Sequence, residues 1–158
     1  MEIPLESETS LFPFPSFQKR YILTQVENQQ LAFPTQWVTE IILVERSQIL
    51  TMPFYHSMVL GVVHHQGSII PLITLPRINQ GQQTQVVQKN RIQETLKVIH
   101  LAESVNKLSG VGLIVEQVIG SISHEQLLAN EQKQLENFPS QIEVFQPDRI
   151  PPSIWQPR

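Results

Sequence analysis

The sequence lacks cysteine, a cluster of basic residues and any long apolar run, and each absence excludes a class of protein. Without cysteine there is neither a disulfide framework nor a thiolate nucleophile, which fits a reducing compartment. The formal net charge is only −3 over 158 residues, so the basic footprint of a nucleic-acid-binding protein is missing. No apolar stretch approaches the roughly 18 residues that a membrane-spanning helix needs. The acidic start, residues 1–6, does not resemble a secretory signal. Together these features predict a cytoplasmic protein that neither binds nucleic acid nor inserts into a membrane.

Motifs for nucleophilic or phosphate chemistry are also missing. The six glycines are scattered, and none forms a phosphate-binding loop before a helix. No G-x-S-x-G motif is present. Acid–base work by Glu40 or Glu116 is conceivable because both lie beside apolar residues, but a surface carboxylate at a strand end is the commoner arrangement. The residues therefore predict a protein that is not an enzyme and carries no cofactor.

The adjacent pair His64 and His65 suggests a metal-site hypothesis. Neighbouring histidines on a strand point to opposite faces, so they rarely bind one ion together. A site would need His56, His100 or Glu116 to converge on the pair, and no H-x-H or H-x-x-x-H spacing supports this. A polar hairpin tip without a metal is the favoured interpretation.

The most informative stretch is residues 53–75, PFYHSMVLGVVHHQGSIIPLITL. An apolar run at 60–63 is followed by a polar, glycine-closed tip at 64–67 and a second apolar run at 68–75. Two apolar runs around such a tip predict a β-hairpin. Because the runs are nearly continuous, both faces of the hairpin are expected to be covered.

The rest of the chain reads as short strands with little helix. Ser123 is a candidate N-cap for a short helix. A one-turn helix is expected after Pro34, and the prolines that follow residue 130 permit only short strands and turns. This pattern predicts an all-β protein built from small barrels, with one or two short helices. The further strands are expected at 20–26, 30–33, 40–44, 95–101, 111–115 and 118–120.

Two segments are expected to lie outside the compact domain. Residues 1–18 combine three prolines with Phe12, Phe14 and Phe17, which predicts an extended arm. Its aromatic residues either lie on the domain or dock a partner. Residues 77–94 are glutamine-rich and polar, which predicts a flexible loop. The domain itself would then span residues 19–158.

The order of these elements resembles the CheW family, the adaptors of bacterial chemotaxis-type signalling. The resemblance rests on the two strands within 21–34, the V-x-E-I pattern at 38–41, and a G-V-x-x-x-x-G-x-x-x-P-[VIL]-x-x-L hairpin at 61–75. A V-G-L-x-V-D-x-V-like strand follows at 111–118, and the SHEQ segment at 123–126 matches the start of the family's helix. The motifs cover about residues 21–128 in the family's order.

The resemblance implies two five-stranded SH3-like barrels that share a hydrophobic core, and no enzymatic activity. It implies an adaptor that connects the regulatory domain of a CheA-like histidine kinase to the cytoplasmic tip of a methyl-accepting chemoreceptor. Such adaptors work in the cytoplasm at membrane-associated receptor arrays, in swimming or in pilus-driven twitching. The partner-binding residues implied by the groove between the barrels and by the hairpin tip are Val38, Glu40, Gly61, His64, His65, Gln66, Gly67, Val115 and Val118.

The chain departs from the family pattern at several positions. The usual tip sequence N-L-R-G is His64-His65-Gln66-Gly67 here, and glutamine cannot form the charge-assisted, bidentate bonds of arginine. The family's final strands have no counterpart after Asp148, so the second barrel is expected to be incomplete or closed differently. Two alternatives therefore stay open beside the adaptor: a divergent scaffold that binds the kinase without receptor coupling, and a small-ligand or metal-binding enzyme.

Overall fold

The computed structural model describes residues 19–75, 94–134 and 142–157. These residues form ten strands, one α-helix and several single 3-10 turns, which confirms the predicted β class. The helix, α1, spans His124–Gln134. The strands are β1 (Arg20–Val26), β2 (Gln29–Pro34), β3 (Val38–Glu45), β4 (Leu50–Thr51), β5 (Val59–His65), β6 (Ser68–Thr74), β7 (Thr95–Leu101), β8 (Gly112–Val115), β9 (Gln117–Ser123) and β10 (Ile142–Val144).

Most element positions agree with the sequence patterns. Strands β1 and β7 have the predicted bounds, and a 3-10 turn occupies Thr35–Trp37 after the proline. The predicted arm at 1–18 and almost all of the predicted loop at 77–94 fall outside the described residues. Within those residues, no helix is long and apolar enough to cross a membrane.

Helix α1 begins at the predicted cap. The Ser123 hydroxyl accepts a hydrogen bond from the Gln126 amide at 3.2 Å, and the Gln126 side-chain oxygen accepts one from the Ser123 amide at 2.8 Å. This reciprocal capping box satisfies two backbone donors that would otherwise lack a partner. The helix is 11 residues long, longer than the short helix expected from the sequence.

The strands form two sheets. One has four strands in the order β10-β2-β1-β9, and the other has six in the order β3-β7-β8-β6-β5-β4. The pairs β10–β2 and β6–β8 are parallel, and the other pairs are antiparallel. The chain crosses from the six-stranded to the four-stranded sheet at Glu116, between β8 and β9. The two sheets confirm the predicted two-part β architecture.

The buried residues form three clusters. The central cluster lies between the sheets and includes Phe33, Ile73, Ile99, Leu113 and Ile154, each fully buried. The inner cluster belongs to the six-stranded sheet alone and consists of Ile42, Val44, Val63, Ile70, Leu72, Leu96, Val98 and Ile114. The helix cluster joins the four-stranded sheet to α1 through Tyr21, Leu23, Ala32 and Leu127. The central cluster is the shared core that the family resemblance implied, and each fully buried aliphatic side chain in it contributes about 1.5–3 kcal/mol.

The C-terminal segment completes this shared core. Strand β10 pairs with β2, and the Phe145 ring then packs on Phe33 with ring centroids 5.0 Å apart. Ile150 directly follows one 3-10 turn, Ile154 lies in the next, and both residues are buried. Within the described residues the four-stranded sheet thus has one strand fewer than the five that were expected. The C-terminal segment completes it.

Candidate functional site

The hairpin of β5 and β6 is joined by a two-residue turn, Gln66 and Gly67. Their φ angles are 48° and 82°, and two positive φ values in succession match the right-handed twist of the flanking strands. The prediction of a four-residue tip at 64–67 is therefore wrong, because only two residues form the turn. His64 and His65 still belong to β5, where they pair with Ile69 and Ser68.

The two histidines consequently lie on opposite faces of the sheet. His65 follows Val63 by two residues, so it shares the inner face with that buried side chain. His64 is exposed and lies on the outer face beside Ile69. Only the outer histidine is presented to a partner approaching the face of the sheet.

The outer side of β4, β5 and β6 carries an exposed apolar surface, which we call the hairpin face. Leu50 pairs with Val62, and Val62 pairs with Pro71, so the three side chains form one row across the strands. Ile69 extends the surface beside Pro71. Leu50 is 67% exposed and Ile69 is 68% exposed. The expectation that both faces of the hairpin are covered is wrong for this side.

Gly61 allows the short strand β4 to pair at the edge of the hairpin. A Cβ atom at this position would collide with the Leu50 carbonyl oxygen and would lie 2.9 Å from the Ile49 Cγ2 atom. Any larger residue would push β4 away and take Leu50 with it. The predicted role of Gly61 in partner binding stays a prediction, whereas its role in building the hairpin face follows from this close approach.

A second group of polar residues meets on the inner side of the six-stranded sheet, and we call it the mouth cluster: Glu40, His65 and His100. The Glu40 Oε2 atom lies 3.3 Å from His65 Nε2 and 3.4 Å from His100 Nδ1. The side chains come from β3, β5 and β7. Glu40 and His65 were predicted as site residues, but His100 was considered only as a metal ligand.

Three of the predicted residues lie at the junction of the two sheets. The side chain of Val115 is 2% exposed and belongs to the central cluster. Val38 and Val118 are half-buried and pack against the same cluster. The structure therefore does not bring the predicted residues into one patch. They fall at the junction, at the mouth cluster and at the hairpin, and their partner-binding roles stay predictions.

Of the residues that a metal site at His64-His65 would need, His100 approaches His65 through their shared contact with Glu40, whereas His56 and Glu116 lie elsewhere. His56 Nδ1 accepts a hydrogen bond from the Met58 amide at 3.1 Å, in the turn before β5. The amide of Glu116 donates to the Gln25 carbonyl at 2.9 Å, at the crossing between the sheets. Among the residues at 19–75, 94–134 and 142–157, no three His, Cys, Asp or Glu side chains are arranged to hold a metal ion.

Comparison with known proteins identifies relatives of this architecture. A family model, the CheW-like domain, matches residues 20–141. No curated protein matches the sequence. Among solved structures, the scaffolding protein TtCheW from Thermoanaerobacter tengcongensis is similar, with a TM-score of 0.49 and 19% sequence identity. The similarity covers 71% of this chain and 65% of that protein, which is just under two thirds of its length.

Proposed function

The chain belongs to the family of CheW-like domains, and from that premise we propose that it is a non-catalytic adaptor of chemotaxis-type signal transduction. It connects the regulatory domain of a CheA-like histidine kinase to the cytoplasmic tip of a methyl-accepting chemoreceptor. It needs no cofactor, and it acts in the cytoplasm at membrane-associated receptor arrays. Its output is swimming or pilus-driven twitching.

The observation that carries this proposal is the family match over residues 20–141, which takes in strands β1 to β9. The hairpin face adds physical support. Leu50 and Ile69 are large aliphatic side chains held exposed by paired strands, so little conformational entropy is lost when a partner covers them. Interfaces between folded domains have such an apolar centre with a polar rim. A kinase regulatory domain is the partner we assign to this face.

Binding to the kinase regulatory domain of the same organism tests the proposal. Titration calorimetry with the purified full chain is expected to give a saturable complex. Leu50→Glu and Ile69→Glu should each weaken binding about tenfold or more, because a buried charge without a partner is costly. Leu128→Glu is the matched control, since Leu128 is 44% exposed but lies on α1, beside the other sheet.

Two results would contradict the proposal. The first is that the wild-type chain binds no kinase regulatory domain from its own cell. The second is that the Leu128 control weakens binding as much as the two variants of the hairpin face while all three variants remain folded, because the hairpin face would then have no special role in binding. A circular dichroism spectrum of each variant shows that it is folded.

A second candidate function is a scaffold that binds the kinase without coupling it to receptors. Gln66 favours this candidate, because an amide at the turn cannot pair with a carboxylate as an arginine does. The test is receptor-controlled kinase activity with the wild-type chain and with Gln66→Arg. Glutamine and arginine are equally disfavoured at the φ of 48° at position 66. The variant therefore changes the side chain without changing the preference of the backbone for the turn. Equal activation by the two proteins would exclude this candidate.

A further inference from the structure

We propose that the mouth cluster is an internal tie that positions the hairpin turn. In this role Glu40 supports partner binding by holding the hairpin, without touching the partner itself, and His65 and His100 are positioning residues. The proposal deepens the proposed function and rests on it only for the link to partner binding. The tie itself can be measured in the isolated chain.

The order of the strands supports this tie. Glu40 and His100 are register partners on the neighbouring strands β3 and β7. His65 comes from β5, which is separated from β3 by β7, β8 and β6 in the sheet. A 3.3 Å contact between Glu40 and His65 therefore joins two strands that share no backbone ladder. Within the described residues this contact connects β3, at one edge of the sheet, to β5, which leads into the hairpin turn.

The mouth cluster lies over the open end of the inner cluster. Each of its residues lies two positions from a buried residue of the inner cluster, on the same face of its strand. The buried neighbours are Ile42, Val63 and Val98. The three polar side chains thus cap the open end of this apolar interior. They are only partly exposed, with 34% for Glu40, 27% for His65 and 16% for His100, so solvent screens their contacts incompletely.

His65 has a ring nitrogen that needs a polar neighbour. Its Nε2 atom is buried, and Glu40 reaches it as a close electrostatic contact rather than as a well-aligned hydrogen bond. Removing the carboxylate would leave this buried atom without the partner that it has in the described part of the chain. Because an isolated buried polar atom is costly, this contact favours a role for Glu40 within the chain over a direct contact with a partner.

The tie also specifies which ring nitrogens carry protons. A neutral imidazole has one N–H, and a neighbouring carboxylate favours the tautomer whose N–H faces it, whether or not the contact is a well-aligned hydrogen bond. His65 should therefore be protonated at Nε2 and His100 at Nδ1 when the rings are neutral. His64 is one residue from His65 but lies on the outer face, so it is the matched control for both the tautomer and the substitution.

The experiment combines nitrogen-15 NMR of the histidine rings with amide hydrogen exchange on the full chain. In the wild type we expect the Nε2-protonated form for His65 and the Nδ1-protonated form for His100. In Glu40→Ala both rings should shift toward the spectrum of exposed His64. The amides of His65 and Ser68, which flank the turn, should exchange about three- to tenfold faster than in the wild type.

Three further variants separate the tie from a general structural effect. His65→Ala and His100→Ala should each accelerate exchange at the turn, and combining either with Glu40→Ala should add little, because the residues act as one unit. His64→Ala should leave turn exchange unchanged. The tie is overturned if Glu40→Ala leaves ring tautomers and turn exchange as they are, or if the double variants are fully additive.

Partner titration then completes the test. If the tie holds and the proposed function is right, the kinase regulatory domain should bind Glu40→Ala and His100→Ala with the same reduced affinity. If the ring tautomers and the amide exchange support the tie but the chain binds no kinase regulatory domain, the proposed function is wrong and the tie still holds. A tenfold loss with Glu40→Ala alone, with His100→Ala binding normally, would instead make Glu40 a direct partner contact and overturn the positioning role.

Discussion

The two sheets of this chain complete their apolar interiors in different ways. The six-stranded sheet encloses its own inner cluster of eight aliphatic residues and caps it with the mouth cluster. The helix cluster on the four-stranded sheet has only four buried residues, and one of them, Leu127, comes from helix α1. Both sheets contribute to the central cluster, but the six-stranded sheet builds its second interior from strands alone, whereas the four-stranded sheet needs a helix.

This difference indicates that the two sheets have different roles. Of the predicted partner-binding residues, only Val118 comes from the four-stranded sheet, on β9. A sheet that closes on its own interior can leave its outer face bare, and the hairpin face is such a surface. The strands of the four-stranded sheet contribute Leu31 and Phe33 to the buried residues of the central cluster. Variants that act on one sheet and not on the other can test this comparison.

The largest effect is expected from Phe33→Ala in the central cluster. Phe33 is fully buried and packs on Phe145, so the cavity should lower the free energy of unfolding by about 3–5 kcal/mol. Because the cluster is shared, both sheets should lose stability in one cooperative transition. Urea unfolding followed by circular dichroism and by tryptophan fluorescence measures this. Two separate transitions would contradict the idea of a common core.

The second effect contrasts one glycine in each sheet. A Cβ atom on Gly112 would lie 2.6 Å from Val98 Cγ1 and 2.8 Å from Leu72 Cδ2, so Gly112→Ala should overpack the inner cluster and cost about 1–3 kcal/mol. A Cβ atom on Gly120, in β9, would meet no atom within 4 Å. Gly120→Ala should therefore change unfolding by less than about 0.5 kcal/mol. Equal effects in urea unfolding would remove the distinction between a packed and an open sheet.

The third effect concerns the helix that completes the four-stranded sheet. Ser123→Ala removes the capping box and should cost about 1 kcal/mol, mainly as fraying of α1. Amide exchange should become faster in the first turn of the helix and stay unchanged in β5 and β6. Ser47→Ala, at an exposed 3-10 turn beside the other sheet, is the control with little expected effect. Faster exchange across both sheets would show that the helix supports the whole molecule.

The smallest effect is expected on the hairpin face. Ile69→Gln should change the free energy of unfolding by less than about 0.5 kcal/mol, because the side chain is 68% exposed. Ile70, the next residue, is 1% exposed and faces the inner cluster, so Ile70→Gln should destabilise the protein severely. Thermal unfolding of the two variants measures the contrast. A large loss from Ile69→Gln would mean that the outer face is covered by part of the chain.

Much of the fold could be predicted because the strands carry strong local patterns. Strands β1 and β7, the hairpin and the cap at Ser123 follow from β-branched runs, a glycine-closed turn and a capping sequence. The family resemblance rested on motifs at 61–75 and 111–118, and the match to CheW-like domains over 20–141 confirms it. The length of α1 was missed because its glutamine-rich sequence has only two leucines, which is too few to give a helical period.

The site was harder to predict because it depends on how the sheet closes. Glu40 and His100 are 60 residues apart in sequence, and nothing in their local patterns indicates that they meet. Ile69 was taken as covered, since a continuous apolar run looks the same whether one face or both are buried. Pairing register reveals the hairpin face, and that register depends on the two-residue turn at 66–67.

The pairing of β10 with β2 has a consequence for how the protein forms during synthesis. The Gln29 side chain donates a hydrogen bond to Glu143, 114 residues later in the sequence. The nearby Phe33 is covered on one side only when Phe145 packs on it. Contacts between such distant residues form late, because a long loop must close first. The first hairpin, β1 and β2, therefore leaves the ribosome with an apolar face that stays uncovered until residues 142–154 emerge. Translation at about 5–20 residues per second makes this a delay of several seconds, during which the nascent chain is a natural client for a chaperone.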